Sequence, residues 1–450
     1  MKFKNMVKYG ILGGGWAGLL MAHAIKSNFP LCDVEILEKA KQNEIGGLLR
    51  SVTFDGFTYD IGGPHILFSR NNEILQSILK ILDGNYKIME RKNFIHFEGK
   101  LIPYPLENGI YRLSEQDRAM MGLGIVENLI RLKRENQWVP KNFYEWIYGI
   151  FGQEMGSRYL EPYNNKIWKR DLKQIDADWV FTPGRLPLPE LSDIIYSISG
   201  IGTVGYKEQA NFYYPKKGGI QALYDSLKQK VLREGVRIIT DTNITEVIHS
   251  ADKTWIVNGH FVYEKIINTL PLPILIEMLK APEEVHSLAK TLDYNKVVVV
   301  GYALNKEAQD RIALYVPDEG IIFHRYTWMS NLVSDSPVGK SNLIVEVTWP
   351  KDRKLDIDFI VKECTKGLLK LGIIATKYDI IHTKSWVQEF GYPIYNIGHK
   401  KIREDIFSYL DSLGIKSVGR WGSWHYWNTD KVYEAVNNVI QSLRGDLDGL

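Results

Sequence analysis

Three observations predict an α/β fold of the mixed, α+β kind. A glycine-rich turn joins a short apolar strand to a helix near the start of the chain, helical stretches rich in Tyr, Trp and Leu fill residues 114–168, and apolar strands recur between 296 and 349. The first marks a Rossmann-type dinucleotide-binding domain. The second marks a helical insertion, and the third a separate antiparallel sheet covering a pocket.

Residues 9–12 read as a buried strand and 16–27 as a helix, with Gly13, Gly15 and Gly18 on the spacing G-x-G-x-x-G. The first glycine permits the tight bend. The second lets backbone approach a pyrophosphate, and the third lets the helix pack close on the strand. The helix N-terminus then faces the phosphates. Residues 34–37 form the second strand, and Glu38 ends it twenty residues after Gly18. An acid at that point holds ribose hydroxyls. Trp16, Ala17 and Lys39 complete this candidate cofactor set. Two glycine pairs beyond Lys39 point to FAD rather than NAD. The run GGLLRS carries Gly46, Gly47 and Leu48, and Gly62 and Gly63 begin fifteen residues after Gly47. Such glycine pairs let backbone lie against a bulky isoalloxazine, where any Cβ would collide.

Further along, residues 71–82 have helical spacing, and 93–102 read as a hairpin turning at Glu98-Gly99. Residues 114–136 and 142–168 read as helices. Pro183, Pro187 and Pro189 exclude a regular helix within 171–191. An irregular segment of that length is often functional, and 198–206 is a second flexible candidate. An amphipathic helix over 218–235 precedes short strands at 237–240, 246–249, 254–257 and 265–270. Apolar strands come next at 296–304, 321–329 and 343–349, then a helix over 357–371 and a strand over 379–388. A further short segment at 417–422 and a helix over 430–444 close the chain. The division expected is a discontinuous FAD-binding domain (1–70, 205–290 and 390–450), a mostly helical insertion (71–204), and a sheet-containing substrate-covering domain (291–389).

With 450 residues the chain is too long for a single compact core. Its 56 basic and 53 acidic residues give a net charge of only +3. Nothing in that balance points to nucleic acid or an anionic membrane surface. Cys32 and Cys364 belong to no C-x-x-C pair or His cluster, so both read as buried small residues, with no disulfide framework and no metal site. The apolar run 11–25 is explained by the glycine motif, and no other run is long enough to span a bilayer. A cytoplasmic protein is expected.

Sharper motifs carry a family resemblance. FDGFTYDIGGPHILFS (54–69), IPYPLENGIYRL (102–113), EPYNNKIW (161–168), RLPLP (185–189), LYVPDEGIIFHR (314–325), GYPIY (391–395) and GRWGSWHYWNTD (419–430) occur in that order. Together they resemble the flavin-dependent UDP-galactopyranose mutases, within the wider amine-oxidase-like and protoporphyrinogen-oxidase-like FAD proteins. The compact YWNTD spacing is that of bacterial members, while LYVPDEGIIFHR looks like the longer eukaryotic form.

The resemblance implies a cytoplasmic isomerase of nucleotide sugars, serving cell-surface polysaccharide biosynthesis. It interconverts pyranose and furanose forms with no net redox change, by attack of reduced-flavin N5 on the anomeric carbon. Cations must then hold the diphosphate as it leaves and returns, and the implied residues are Arg185 and Arg325. A guanidinium presents a fixed fork of donors matched to phosphate oxygens. His65 matches the histidine beside the flavin, making the implied catalytic set His65, Arg185 and Arg325. Tyr315, Tyr392 and Tyr426 would reach the diphosphate, Tyr163 and Trp168 would border the base, and Asn164 would contact the sugar or diphosphate. Arg420, Gly422 and Asp430 would touch the flavin's pyrophosphate and ribityl chain. The partner is a nucleotide sugar, a UDP-sugar first. With no second dinucleotide motif, NAD(P)H as reductant would bind transiently in the substrate cleft. A homo-oligomer is one option for the assembly.

Two other readings stand beside this one. An FAD oxidase or desaturase of the amine-oxidase or protoporphyrinogen-oxidase type needs an apolar channel and no diphosphate clamp. A non-catalytic nucleotide- or flavin-binding protein needs neither.

Overall fold

The computed structural model describes residues 7–135, 138–181, 188–205 and 210–448, the side chains of 445–448 excepted. Lys8–Leu12 is flanked by parallel strands on both sides, Asp33–Leu37 and Lys265–Asn268. A strand covered on both faces must be apolar nearly throughout, which is how 9–12 reads. Arg237–Ile239 and Lys416–Ser417 extend the sheet. The spatial order is 416–417, 265–268, 8–12, 33–37, 237–239. Strand order reverses beside Lys8–Leu12. The crevice beyond its carboxyl end is therefore a topological switch point, where open α/β sheets bind ligands.

Helix Trp16–Asn28 starts at that crevice, and the closing helix Thr429–Asp448 returns to it. The Trp16 indole Nε1 donates to the Thr429 carbonyl at 3.2 Å, tying the two helix starts together. Leu19, Leu20, Met21 and Ile25 are buried in one core with Val432, Val436 and Ile440. Full burial of each such side chain contributes roughly 1.5–3 kcal/mol before entropy is counted.

The second sheet has seven strands: Ile380–Ile394, Asp293–Leu304, Ser341–Pro350, Arg325–Trp328, Ala313–Tyr315, Asn93–Phe97 and Lys100–Pro103, in that spatial order. Every pairing is antiparallel except Ala313–Tyr315 with Asn93–Phe97. The fold is thus α/β, with a parallel Rossmann-like sheet and a separate, largely antiparallel one. The unbroken apolar run in Asp293–Leu304 has a simple cause. Val297, Val299 and Ala303 face the core shared with the first sheet, while Val298, Val300, Tyr302 and Leu304 pack on Ile360, Cys364 and Leu368 of helix Ile357–Lys370. Alternate side chains on a strand point to opposite faces, and here both faces are covered.

Several elements differ from expectation. The helix predicted over 142–168 is three pieces: Phe143–Met155, a π-type turn Gly156–Leu160, and Glu161–Trp168. Gly152 leaves helical geometry at φ 75°, where a Cβ would lie only 2.9 Å from Gly124 Cα of the neighbouring helix. Close backbone contact, not periodicity, sets that break. The strand expected over 321–329 covers only Arg325–Trp328, because Met329–Leu332 turns helical. The short segment expected over 417–422 begins in the two-residue strand Lys416–Ser417. The chain then turns through Gly419 at φ 101°. The strand expected over 379–388 runs on to Ile394. Helices Leu272–Met278, Glu283–Thr291 and His399–Ser412 have no counterpart among the expected elements. Cys364 is buried as expected, but Cys32 is only partly so. No helix among the described residues is long and apolar enough to cross a membrane.

Candidate active site

Beyond the carboxyl end of Lys8–Leu12 lies a cavity of about 1130 Å³, counted to its mouth. Gly13, Gly15, Trp16, Ala17, Glu38, Lys39, Gly47, Leu48 and Arg420 are in its wall. The glycines of the turn have different reasons to be glycine. Gly13 sits at φ +100°. A Cβ on Gly18 would lie 2.1 Å from the Gly13 carbonyl oxygen, so Gly18 serves helix packing. A Cβ on Gly15 would meet no protein atom within 4 Å. The protein's own packing does not demand glycine there, and the space is left for a ligand. Glu38 accepts from the Gly14 N–H at 2.7 Å and the Ala40 N–H at 2.8 Å, which ties the glycine turn to the second strand.

With the exposed Lys39 also in the wall, Arg420 is the inner cation of this cradle. Its Nε donates to the Trp427 carbonyl at 2.9 Å, and the guanidinium lies 4.8 Å from the Tyr426 ring centroid. Burial pulls its pKa down, and only Tyr426, Tyr392 and Tyr395 act the other way. Among the described residues no carboxylate pairs with it. A buried guanidinium without a counter-ion is costly. An open glycine turn, a helix N-terminus and an uncompensated arginine fit the pyrophosphate of a dinucleotide.

A second cavity, of about 1480 Å³ to its mouth, shares His65, Arg420, Asn428 and Thr429 with the first. His65 therefore stands at the junction. Tyr163, Asn164, Trp168, Tyr315, Arg325, Tyr392 and Tyr426 all line the second cavity. So do Gly62 and Gly63. A Cβ on Gly62 would lie 2.2 Å from the Leu48 carbonyl oxygen, and one on Gly63 (φ +85°) 2.9 Å from Glu346 Oε2. The protein's own contacts thus already require both glycines.

The second sheet delivers the polar groups. Arg325 and Glu346 are register partners on adjacent strands. Arg325 Nε and Nη2 donate to Glu346 Oε1 and Oε2 at 2.7 and 2.8 Å. Glu346 is 1% exposed, whereas Arg325 keeps 23% of its side chain open. The Tyr392 hydroxyl donates to Glu346 Oε2 at 3.3 Å. Burial pushes the Tyr315 hydroxyl up, but Arg91 and Arg325 beside it outweigh burial and hold it below the ordinary tyrosine value. Burial keeps His324, in the same wall, neutral. Asn164 is already engaged, donating to the Leu160 carbonyl at 2.7 Å and accepting from Trp168 Nε1 at 3.3 Å. Trp168 stands edge-on to Tyr392 and Tyr426.

Some candidates lie elsewhere. Arg185 is outside the described residues. Gly46, Gly422 and Asp430 line neither cavity. Gly422 serves a turn, since a Cβ there would lie 2.4 Å from the Val418 carbonyl oxygen. Next to Asp430, Asn428 and Thr429 face both cavities instead. Sequence reasoning passes over Arg91, Tyr104, Glu107 and Glu346, which also line the second cavity. Only Glu346 carries a signal: it is the lone charge in the buried strand SNLIVEVTWP. A charge so placed must be paired.

Comparisons with known proteins agree with this architecture. Residues 16–408 match the family described as flavin containing amine oxidoreductase. A coproporphyrinogen III oxidase of Staphylococcus aureus is 21% identical over 319 residues, covering 66% of this chain and 67% of the relative. A crystal structure of reduced UDP-galactopyranose mutase superposes with a TM-score of 0.86 at 25% identity, covering 98% of this chain and 94% of that one. An oxidoreductase from Methanosarcina mazei matches with a TM-score of 0.67 at 16% identity, over 96% of this chain and 100% of the other, a likeness of fold.

Proposed function

The chain belongs to the flavin containing amine oxidoreductase family and is an FAD-dependent enzyme, and on that premise we propose that it is a nucleotide-sugar mutase, interconverting pyranose and furanose forms of a UDP-sugar such as UDP-galactose. The observation that carries this reading is the charge of the second cavity. Arg91, Arg325 and Arg420 line it, against Glu107 and Glu346, and it meets the cofactor cradle at His65. An alkylamine has no use for three guanidinium groups, whereas a diphosphate does, as would the propionates of a porphyrinogen. The likeness to a UDP-galactopyranose mutase supports the same reading.

When bound and reduced, FAD supplies the nucleophile for the anomeric carbon. The remaining work falls to this chain. Arg325 offers donors to the diphosphate from the edge that Glu346 leaves free, and the bidentate pair with Glu346 holds the guanidinium plane fixed. Tyr315 and Tyr426 offer hydroxyls to the same anion, while the Tyr392 hydroxyl donates to Glu346 and helps hold the Arg325 pair in place. Trp168 and Tyr163 give the cavity flat apolar walls that exclude water, which strengthens every charge contact inside. His65, from its place at the junction, orders the wall between cofactor and sugar. Arg185 would supply a second clamp from outside the described residues.

The oxidase reading is supported by the description of the family as amine oxidoreductases and by the match to a coproporphyrinogen III oxidase. A single experiment separates the two. The purified holoenzyme is reduced anaerobically with dithionite and given UDP-galactofuranose, with the oxidised enzyme as control. UDP-galactopyranose formed only by the reduced enzyme supports the mutase. UDP binding without turnover points to another nucleotide sugar. Neither binding nor turnover, with aerobic oxidation of coproporphyrinogen, overturns the proposal in favour of the oxidase.

A further inference from the structure

We infer that Tyr395, which lines neither cavity, is a positioning residue for the Tyr426 hydroxyl: it anchors the backbone of the loop 420–427 and so sets where Tyr426 meets the anion of the substrate. This rests on the nucleotide-sugar reading above, and goes beyond it by naming a residue outside the site on which the site depends. The loop supplies a wall to each cavity. Arg420 lines both, Tyr426 lines the second, and Trp427 lines the cofactor cradle. Tyr395 directly follows the strand Ile380–Ile394, and neither it nor His425 lines either cavity.

Residues 425–428 belong to no helix or strand, so individual hydrogen bonds must fix their path. The N–H groups of Ser423, Trp424, His425 and Trp427 donate to the carbonyls of Gly419, Trp421, Arg420 and His425. The Tyr426 N–H instead leaves the loop and donates to the Tyr395 hydroxyl oxygen at 3.0 Å. The same oxygen lies 2.7 Å from His425 Nδ1. Burial keeps His425 uncharged, and a neutral imidazole can accept the hydroxyl proton at Nδ1. One oxygen thus accepts from one loop residue and donates to its neighbour.

Tyr395 is itself held in place without that hydroxyl. It is 1% exposed, its ring stacks on His399 with centroids 3.8 Å apart, and its carbonyl accepts from the Asp176 N–H at 2.6 Å. Helix His399–Ser412 also holds the middle of the loop. His399 Nε2 lies 3.0 Å from the Trp424 carbonyl oxygen, and Arg403 Nε donates to the Ser423 carbonyl at 2.6 Å. What the hydroxyl adds is the hold on His425 and Tyr426. On the cavity side the Tyr426 ring lies 5.1 Å from the Tyr392 ring and 4.8 Å from the Arg420 guanidinium. A shift of the backbone at 426 would therefore displace a hydroxyl that must reach the diphosphate at hydrogen-bond distance.

The test is calorimetric titration of the oxidised holoenzyme with UDP, in wild type, Tyr395→Phe, Tyr426→Phe and the double variant. Phenylalanine at 395 keeps the stack on His399 and removes only the hydroxyl. Each single variant should keep its flavin and raise Kd roughly three- to tenfold. The double variant should bind no more weakly than Tyr426→Phe alone, because a residue that acts through the Tyr426 hydroxyl then has nothing left to position. A general loosening of the fold would instead multiply the two losses and overturn the inference, as would an unchanged Kd in either single variant. Should Tyr395→Phe fail to hold flavin, His425 variants carry the test. His425→Leu should weaken UDP binding, whereas His425→Gln, which still offers the hydroxyl an acceptor, should not. Equal affinities in those two would overturn the inference. UDP bound by no form of the protein, wild type included, would sink the mutase reading and this inference with it.

Discussion

Arg325 and Glu346 show how one pair of side chains sets the character of the site. Their strands bring them face to face, and the pairing is what allows a carboxylate at 1% exposure. Glu346→Ala would leave the Arg325 guanidinium with Tyr315 but no counter-ion in the cavity wall, a loss of roughly 3–5 kcal/mol readable in the denaturation midpoint. Arg325→Lys keeps the charge and loses the fork. It should retain flavin but lower kcat/KM about 10²-fold on the preferred sugar nucleotide. Glu107 makes a separate prediction about stability. Its pKa is raised from an ordinary 4.5 to about 7 by burial. The folded state is therefore favoured fully below pH 4.5 and loses that advantage as pH rises to about 7. Thermal unfolding of wild type against Glu107→Gln should diverge across that interval, by roughly 3 kcal/mol at its upper end. At this scale the sequence is only partly legible. Motif position singles out Tyr163, Trp168, Tyr315, Arg325, Tyr392 and Tyr426, all of which the fold brings into one wall. It cannot single out Glu107, because an acid in a turn is ordinary until its burial is known.

At the scale of elements, the glycine turn after Lys8–Leu12 separates structural from ligand-driven demands. Gly18→Ala would force a Cβ against the Gly13 carbonyl oxygen and should lower the melting temperature of the apoprotein. Gly15→Ala has open space and an ordinary extended backbone at φ −74°. It should leave the apoprotein as stable or more so by roughly 0.4–1 kcal/mol, yet purify with reduced flavin absorbance. Equal loss of flavin and of apoprotein stability in both variants would show that Gly15 is a packing glycine instead. The elements read correctly from sequence are those with a strong local pattern. Helix Asn72–Ile81 has an apolar stripe and an Asn71 side chain capping Glu73 and Ile74. The hairpin at Glu98-Gly99 has both turn residues at positive φ. Helix Leu272–Met278, starting right after Pro271, is too short to show such a stripe and gives no clear local signal.

At the scale of the whole molecule, two cavities meet at His65, Arg420, Asn428 and Thr429. Occupancy of the second should be felt as global stability. UDP at a hundredfold excess over Kd is expected to stabilise the holoenzyme by about 2.7 kcal/mol, seen as a rise in Tm, and the effect should vanish in Arg325→Ala. An unchanged Tm in wild type would argue against any nucleotide in that cavity. By itself the sequence determined the dinucleotide-binding unit and the α/β class. The glycine turn, its flanking strand and helix, and the closing Glu38 lie within thirty-one residues of one another, from Lys8 to Glu38, and obey local rules of φ, burial and periodicity. Only the tertiary structure decided which charges share a cavity. Arg91, Glu107, Arg325, Glu346 and Arg420 come from five separate stretches of chain. They meet because the seven-stranded sheet is assembled out of sequence order and registers Arg325 against Glu346. Whether a buried carboxyl there has a counter-ion depends on which cation the fold places beside it, and for Glu346 strand register, not local sequence, makes that choice.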